Sequence, residues 1–340
     1  MPKTIRNEFD KKLTYDNLMK AHLDSRKGKS LRKEIILFNL KQEEYIMWLY
    51  EKLKNGTYKH SGYSKFFVTE PKIRRIEKSK YIDRIVHRWY VDNFMKEYFM
   101  KSFISTSYAC IENKGMHKAC LDVQESMKHC KRVWNNYYII KMDVAKYFQN
   151  IDKRILDSIL QRKIKDKKLL WITYEILYSN GKEKGLPIGN YTSQCFANIY
   201  LNEMDQFAKH NLKLKYWYRY MDDMIAIVKT KKEAIEKLEF IKNFLYKNLR
   251  LELNSKTQIF KSSQGVNFCG YKINEYRLKI RAKGKRKLKK KVKFLKYEIR
   301  NGKMTSKEAQ KYLSGHLGYI KIANVKNLKD KLFCSDIDMI

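Results

Sequence analysis

Two strand-forming runs, Tyr216-Trp217-Tyr218-Arg219-Tyr220 and Met224-Ile225-Ala226-Ile227-Val228, are separated only by Met221, Asp222 and Asp223. Aromatic and β-branched residues favour the pleated state, and so short a link leaves room only for a tight antiparallel hairpin. An acidic pair is therefore expected in a hairpin turn whose arms are largely apolar. A third run, Tyr137-Tyr138-Ile139-Ile140-Lys141-Met142, leads straight into Asp143. If these strands lie side by side, their ends bring three carboxylates within reach of one another.

Around this centre, helical and strand-like patterns alternate. From Leu31 to Leu53 apolar residues recur at roughly helical spacing, predicting one or two amphipathic helices. Lys65 to Thr69 is β-prone and is closed by Glu70-Pro71, and Ile82 to Phe99 returns to helix. A helix-rich stretch follows Asp143 as far as Tyr178, and Gly185-Leu186-Pro187-Ile188-Gly189-Asn190 reads as a turn-rich loop. Helices are expected over Ser193 to Ala208 and Lys232 to Leu249, with strand-like runs near Leu251 and over Val266 to Ile273. The part beyond Ala282 reads as Lys-rich helix. Neither a Gly-rich phosphate loop nor a dinucleotide fingerprint is present, so the fold class expected is α+β.

Charge narrows the partner. Lys and Arg number 74 against 36 Asp and Glu, a formal charge of +38 over 340 residues, which points to a large polyanion and above all to nucleic acid. The sequence holds no apolar run long enough to span a bilayer and no signal-peptide pattern, so a soluble, intracellular protein is expected. The six cysteines, Cys110, Cys120, Cys130, Cys195, Cys269 and Cys334, are not spaced as zinc ligands and are read as reduced, mostly buried thiols.

Clustered acids in so basic a chain suggest a metal site. Nucleotidyl transfer needs cations that activate the attacking hydroxyl and neutralise the leaving pyrophosphate, and magnesium prefers hard carboxylate oxygens. Asp143, Asp222 and Asp223 are the candidates. Taken one by one, each is more simply an ordinary turn or strand-end acid.

In combination they resemble the catalytic blocks of reverse transcriptases. Tyr220-Met221-Asp222-Asp223 looks like the signature turn of that family, and Asp143 with Phe148 five residues on looks like its first catalytic strand. Further blocks follow in the expected order: Lys72-Ile73-Arg74-Arg75-Ile76 and Asp83-Arg84-Ile85-Val86, then Tyr108-Ala109-Cys110 with Gly115 and His117, then Gly185 to Asn198. Leu253-Asn254-Ser255-Lys256-Thr257 and Asn267-Phe268-Cys269-Gly270-Tyr271 complete the set, which covers roughly residues 65 to 275. The resemblance implies a right-hand polymerase: an N-terminal helical extension over 1–60, fingers over 61–135, a palm over 136–275 with a fingers-side loop at 178–192, and a basic helical thumb over 276–340. It implies an RNA-directed DNA polymerase with two magnesium ions, or manganese in their place, held by Asp143, Asp222 and Asp223.

Roles for other residues follow from the resemblance and from chemistry together. Lys72 and Arg74 would hold triphosphate oxygens, Arg through a fork that matches phosphate. Phe148 would lie under the sugar of the incoming deoxynucleoside triphosphate and exclude a 2′-hydroxyl, with Ile188, Gly189 and Gln194 on the same nucleotide side. Lys256 would sit near, or protonate, the leaving pyrophosphate. Phe268, Gly270 and Tyr271 resemble the primer grip. Between Lys279 and Lys296 eleven Lys or Arg occur with no acid, interleaved with Leu288, Val292, Phe294 and Leu295 at helical spacing, so Lys289, Lys290 and Lys291 are expected to face the phosphate backbone of a template–primer duplex.

Where most of the family has a Gln-Gly pair and a later Ser-Pro, this chain has Ile188-Gly189-Asn190-Tyr191-Thr192-Ser193-Gln194. That variant, with Ser314-Gly315-His316 near the end, resembles the reverse transcriptases of diversity-generating retroelements, which copy a template RNA into error-rich cDNA and work with a small basic accessory protein. It implies a bacterial or phage-encoded, cytoplasmic protein with no membrane partner. An antiphage defence reverse transcriptase using a structured non-coding RNA is the alternative within the family. Outside it stand a non-catalytic RNA-binding protein, which the intact acids disfavour, and an RNA-templated RNA polymerase, which Phe148 disfavours. The chain is expected to carry no ribonuclease H or endonuclease domain.

Overall fold

A computed structural model of the chain describes residues 4–69 and 73–333. Lys72 and Cys334 lie outside the described residues. In chain order the elements are α1 (Phe9–Lys12), α2 (Tyr15–Arg26), α3 (Lys33–Leu40), α4 (Gln42–Lys54), β1 (Tyr63–Val68), β2 (Arg74–Ser79), α5 (Tyr81–Tyr90), α6 (Met116–Trp134), β3 (Tyr138–Asp143), α7 (Tyr147–Asn150), α8 (Lys153–Lys163) and α9 (Lys167–Tyr178). They continue with α10 (Tyr191–Gln206), β4 (Tyr216–Tyr220), β5 (Asp223–Val228), α11 (Lys231–Leu249), β6 (Gln258–Lys261), β7 (Val266–Phe268), β8 (Tyr271–Ile273), β9 (Leu278–Ile280), α12 (Ala282–Arg300), α13 (Ser306–Ile320) and α14 (Lys326–Phe333). The α+β expectation holds.

The chain forms two compact units, each discontinuous in sequence. The first gathers residues 1–105, 144–213 and 239–255. Its helices close on buried Phe9, Trp89, Tyr90, Phe94, Phe196 and Tyr200, and it carries the antiparallel β1–β2 hairpin. The capping is readable in the sequence: Thr14 caps α2, and Asp152 and Asp166 cap α8 and α9, each side chain accepting an orphan N–H of the first turn. Two segments are π-helical, Val91–Phe99 and Phe207–Asn211, where helix was expected without that detail.

The second unit gathers residues 106–143, 214–238 and 256–340. Its main sheet is antiparallel in the order β4-β5-β3-β6. Side chains alternate across a pleated sheet, so Ile139 of β3, Tyr216 and Tyr218 of β4 and Ile225 and Ile227 of β5 share a face. That face packs on Ala119, Cys120, Val123 and Met127 of α6. A smaller sheet, β7-β8-β9, adds Phe268, Tyr271 and Leu278 to the same core. A separate core of Leu288, Val292, Leu295, Leu313 and Ile320 joins α12 to α13.

Three local expectations change. The strand-like run near Leu251 makes only an isolated bridge, Val144 to Leu253. Lys279 lies in β9 and not in the basic helix, which begins at Ala282. Asp223 is the first residue of β5, leaving Met221 (φ 53°) and Asp222 as the two-residue turn. No described helix is long and apolar enough to cross a membrane.

Candidate active site

The carboxylate centre is a product of strand register. β3 and β5 pair antiparallel with Asp143 opposite Asp223, and β4 and β5 pair with Tyr220 opposite Asp223. The apolar face of the sheet therefore ends in two acids standing side by side, and Asp222 in the turn supplies a third. The Asp222 carboxyl hydrogen-bonds to that of Asp143. Burial, and then the charge of Asp143, push Asp222 up to about 6. Burial also pushes Asp223 up, opposed by the charge and the hydrogen bond of Lys141.

Lys141 is the residue that sequence reasoning passed over. Its Nζ donates to Asp223 Oδ1 and lies 3.2 Å from the Met142 carbonyl, above the Phe268 ring. A signal existed: a lysine two positions before Asp143 in an otherwise apolar strand must share its face. The backbone N–H of Cys269 also donates to Asp223. Cys269 (φ 46°) and Gly270 (φ 89°) form the turn between β7 and β8. The Tyr319 hydroxyl of α13 donates to the Gly270 carbonyl at 2.6 Å, and a Cβ on Gly270 would meet that hydroxyl oxygen at 2.6 Å. Tyr271 stacks on Tyr319 at 4.8 Å and donates to its carbonyl.

Among the described residues no group of three His, Cys, Asp or Glu side chains is arranged to hold a metal ion. The donor chemistry nonetheless fits: three partly buried carboxylates are a hard-oxygen set of the kind a divalent cation takes.

The first unit brings together a different group. Leu186 N donates to the Phe148 carbonyl at 2.8 Å and Gly185 N to the Ile151 carbonyl at 2.9 Å, so the loop carrying Ile188 is bonded to the segment carrying Phe148. Glu77 N donates to the Ile188 carbonyl at 3.0 Å, fixing the same loop to β2. Gly189 (φ 133°) is required here, because a Cβ would stand 3.1 Å from the Glu77 carbonyl oxygen and 3.2 Å from Ile76 Cγ2. Ile188 is half-buried and lines a cavity of about 130 Å3 with Arg75, Glu77, Gln149, Lys182 and Lys184. Arg74, the expected phosphate ligand, is exposed on the hairpin, while its neighbour Arg75 lines this cavity.

The loop is locked from behind by a buried polar network. Asn190 accepts from Ser79 Oγ and donates to Tyr63 OH, both at 3.0 Å, and Tyr63 in turn meets Ser179 Oγ at 2.6 Å. Thr192 Oγ1 stands 2.8 Å from His87 Nδ1, and His87 Nε2 stands 3.2 Å from His60 Nε2. His60 Nδ1 accepts from Gly62 N, so the Nε2–H of a neutral His60 donates a hydrogen bond to His87 Nε2, and the Nδ1–H of His87 donates to Thr192 Oγ1. Burial, and then His60, hold His87 down to about 3. Nothing in the local sequence pattern announced this network, whose partners lie up to 127 residues apart.

Of the remaining candidates, Gln194 is exposed on α10 and Lys256 is exposed in the turn before β6. Phe268 and Tyr271 are buried in the core of the second unit. Lys289 and Lys290 are exposed on α12, while Lys291 is half-buried with its ammonium over the rings of Tyr312, at 4.9 Å, and Phe294, at 5.3 Å.

The family described as reverse transcriptase (RNA-dependent DNA polymerase) matches residues 65–273, more than half of the chain. Protein YkfC of Escherichia coli is 26% identical over 232 residues, covering 56% of this chain and 60% of its own length. The group II intron-encoded protein LtrA of Lactococcus lactis is 24% identical over 306 residues, covering 68% of this chain and 50% of its own. The chain thus spans about half to three fifths of these relatives. Among solved structures, apo telomerase from Candida tropicalis, truncated from its C-terminal domain, is similar with a TM-score of 0.48 at 13% identity, over 64% of this chain and 55% of that one.

Proposed function

We propose, from the premise that the chain belongs to the reverse transcriptase family, that it is an RNA-directed DNA polymerase copying a template RNA into cDNA from deoxynucleoside triphosphates. The observation that carries this reading is the register that sets Asp143 opposite Asp223, with Asp222 hydrogen-bonded to Asp143 from the turn. Reverse transcriptases use divalent metal ions; we assign two magnesium ions, or manganese in their place, to Asp143, Asp222 and Asp223. Bound there, the cations would lower the pKa of the primer hydroxyl and neutralise the departing pyrophosphate.

The chain's own residues do the positioning. Phe148 is assigned to the sugar of the incoming nucleotide, Ile188 and Gly189 to its base-pair side, Gln194 to the same helix, and Lys72 and Arg74 to the triphosphate. Arg75 joins them, since it shares a cavity with Ile188. Lys256 is assigned to the pyrophosphate, and Phe268, Gly270 and Tyr271 to the primer strand. Lys289 and Lys290, exposed on α12, take phosphates of the template–primer duplex; Lys291 contributes less because its charge is already engaged by two rings. Fingers over 61–135, palm over 136–275 and thumb over 276–340 are the domains this reading implies.

Within the family the reading is that of a diversity-generating retroelement enzyme, on the strength of Ile188 to Gln194, with a small basic accessory protein or a structured non-coding RNA as partner and a cytoplasmic site of action. A defence role with a non-coding RNA is distinguished by sequencing the RNA that co-purifies and the cDNA made from it. The polymerase reading itself is tested by Asp222→Asn. Primer extension should fall by at least about a thousandfold while RNA binding is retained; extension near the wild-type rate would overturn it.

A further inference from the structure

Strand geometry brings one lysine to the carboxylates. In β3, Lys141 precedes Asp143 by two residues and so shares its face. In the β3–β5 ladder it stands opposite Ile225, which makes Asp223 its diagonal neighbour. A diagonal pair is within reach of a long side chain, and Nζ of Lys141 indeed donates to Asp223 Oδ1. The lysine stem is sheltered by the Phe268 ring, and its side chain is 15% exposed. A second donor to Asp223 is the backbone N–H of Cys269, which belongs to the turn held by Tyr319.

This arrangement differs from an ordinary surface ion pair in what the acid is for. An ammonium and a divalent cation repel each other and compete for the same carboxylate, so a cation bound at Asp223 Oδ1 displaces Lys141. Lysine suits such an exchange: it is a point charge on a flexible stem and can swing away, whereas an arginine fork would hold the carboxylate bidentately. The Cys269 N–H, fixed in the backbone, can keep Asp223 oriented while the lysine leaves.

We propose that Lys141 is a built-in competitor for the divalent cation of the carboxylate centre: it occupies Asp223 until the cation arrives and thereby sets how tightly the cation binds. The inference rests on the polymerase reading, because it takes Asp143, Asp222 and Asp223 to be the cation ligands. Lys141 is a positioning residue in this account. It offsets part of the repulsion among the acids while the cation is absent, at the cost of weaker cation affinity.

The test is Mn2+ binding to the full chain without nucleic acid, read from the paramagnetic resonance of free Mn2+. Lys141→Met keeps the length of the stem and removes the charge. It should bind Mn2+ about tenfold more tightly than wild type, since a unit charge a few ångströms from the cation is removed. Lys141→Arg keeps the charge and grips the carboxylate with a fork, so it should bind Mn2+ no more tightly than wild type. Thermal unfolding supplies a second reading: Mn2+ should raise the midpoint of Lys141→Met more than that of wild type. If Lys141→Met does not fold, Lys141→Gln is read in its place. Equal or weaker Mn2+ binding by the neutral variant overturns the competitor role and leaves the polymerase reading standing. If wild type and the neutral variant both lack any Mn2+ site that Asp222→Asn removes, both readings fall.

Discussion

In the first unit two short runs, Ser79–Asn190–Tyr63–Ser179 and His60–His87–Thr192, pass hydrogen bonds from one neutral group to the next, whereas in the second Asp143, Asp222 and Asp223 crowd three acids against one lysine. Both clusters are built on strands and loops with apolar backing. The first has matched donors to acceptors, so burial costs it little and it holds a loop still. The second is left electrostatically unsatisfied, and such a site gains by taking up a cation. Burial thus serves two opposite arrangements in one chain, matched neutral partners in the first unit and crowded charges in the second.

Mirror-image substitutions should separate the two most strongly. Asn190→Asp places a carboxylate among neutral, fully engaged partners and should destabilise the chain by about 3 kcal/mol or more. Asp222→Asn, the reverse change, relieves repulsion and should stabilise the chelator-treated protein by about 1 kcal/mol. Urea midpoints of both variants at pH 7 decide the matter, and shifts of the same sign would end the contrast.

Acid should act on the two clusters in opposite directions. His87 titrates at about 3 in the folded chain against an ordinary 6.5, so the unfolded chain binds more protons between those values. Its contribution is present above pH 6.5 and is lost as pH falls, by about 2 kcal/mol between pH 7 and pH 5. Asp222 is raised to about 6 against an ordinary 3.8, so its contribution is present below that ordinary value and is lost as pH rises through about 6. Between pH 7 and pH 5 it should return about 1 kcal/mol. Denaturant midpoints of wild type, Asp222→Asn and His87→Asn at the two pH values separate the contributions. Parallel pH slopes for wild type and His87→Asn would show that the histidine is not held neutral.

These clusters also show what a sequence makes legible. The hairpin around Met221 and Asp222, the strand into Asp143 and the loop at Gly185 to Asn190 were all readable, because apolar alternation and Gly/Pro punctuation are local. The pairing of β3 with β5 was only a condition in the sequence, and the ladder with Asp143 opposite Asp223 supplies it. The Asn190 and His87 network was not readable, since Tyr63, Ser79 and Ser179 are ordinary turn and strand residues until the fold brings them to Asn190. Arg75 was passed over for Arg74 because no strand was expected over 74–79, so which arginine turns toward the loop could not be read. The basic run beginning at Lys279 was read as one helix, yet β9 claims Lys279 because Leu278 and Ile280 cover Ile273 and Tyr271 across the ladder.

The smallest effect expected concerns the loop that the neutral network holds. On the proposed polymerase reading, Ile188 faces the nascent base pair and offers it no hydrogen bond, where the family pattern has Gln. Ile188→Gln should therefore improve discrimination by about threefold to tenfold, the worth of one neutral hydrogen bond, and most opposite template adenine. Sequencing cDNA copied from one defined RNA by both proteins measures this. Identical error spectra would mean that the loop is held for stability alone.

The clasp of Tyr319 on Gly270 bears on how this chain can be divided. The family match stops at residue 273, but the turn that donates to Asp223 is completed by a hydroxyl 49 residues beyond Gly270, and the ring behind that hydroxyl leaves no space for any side chain but hydrogen there. The matched region accordingly lacks the hydroxyl that completes this turn. The smallest portion that could be transplanted, or exchanged by recombination, with its carboxylate centre intact runs to α13, and residues 270 and 319 are expected to be inherited as a pair.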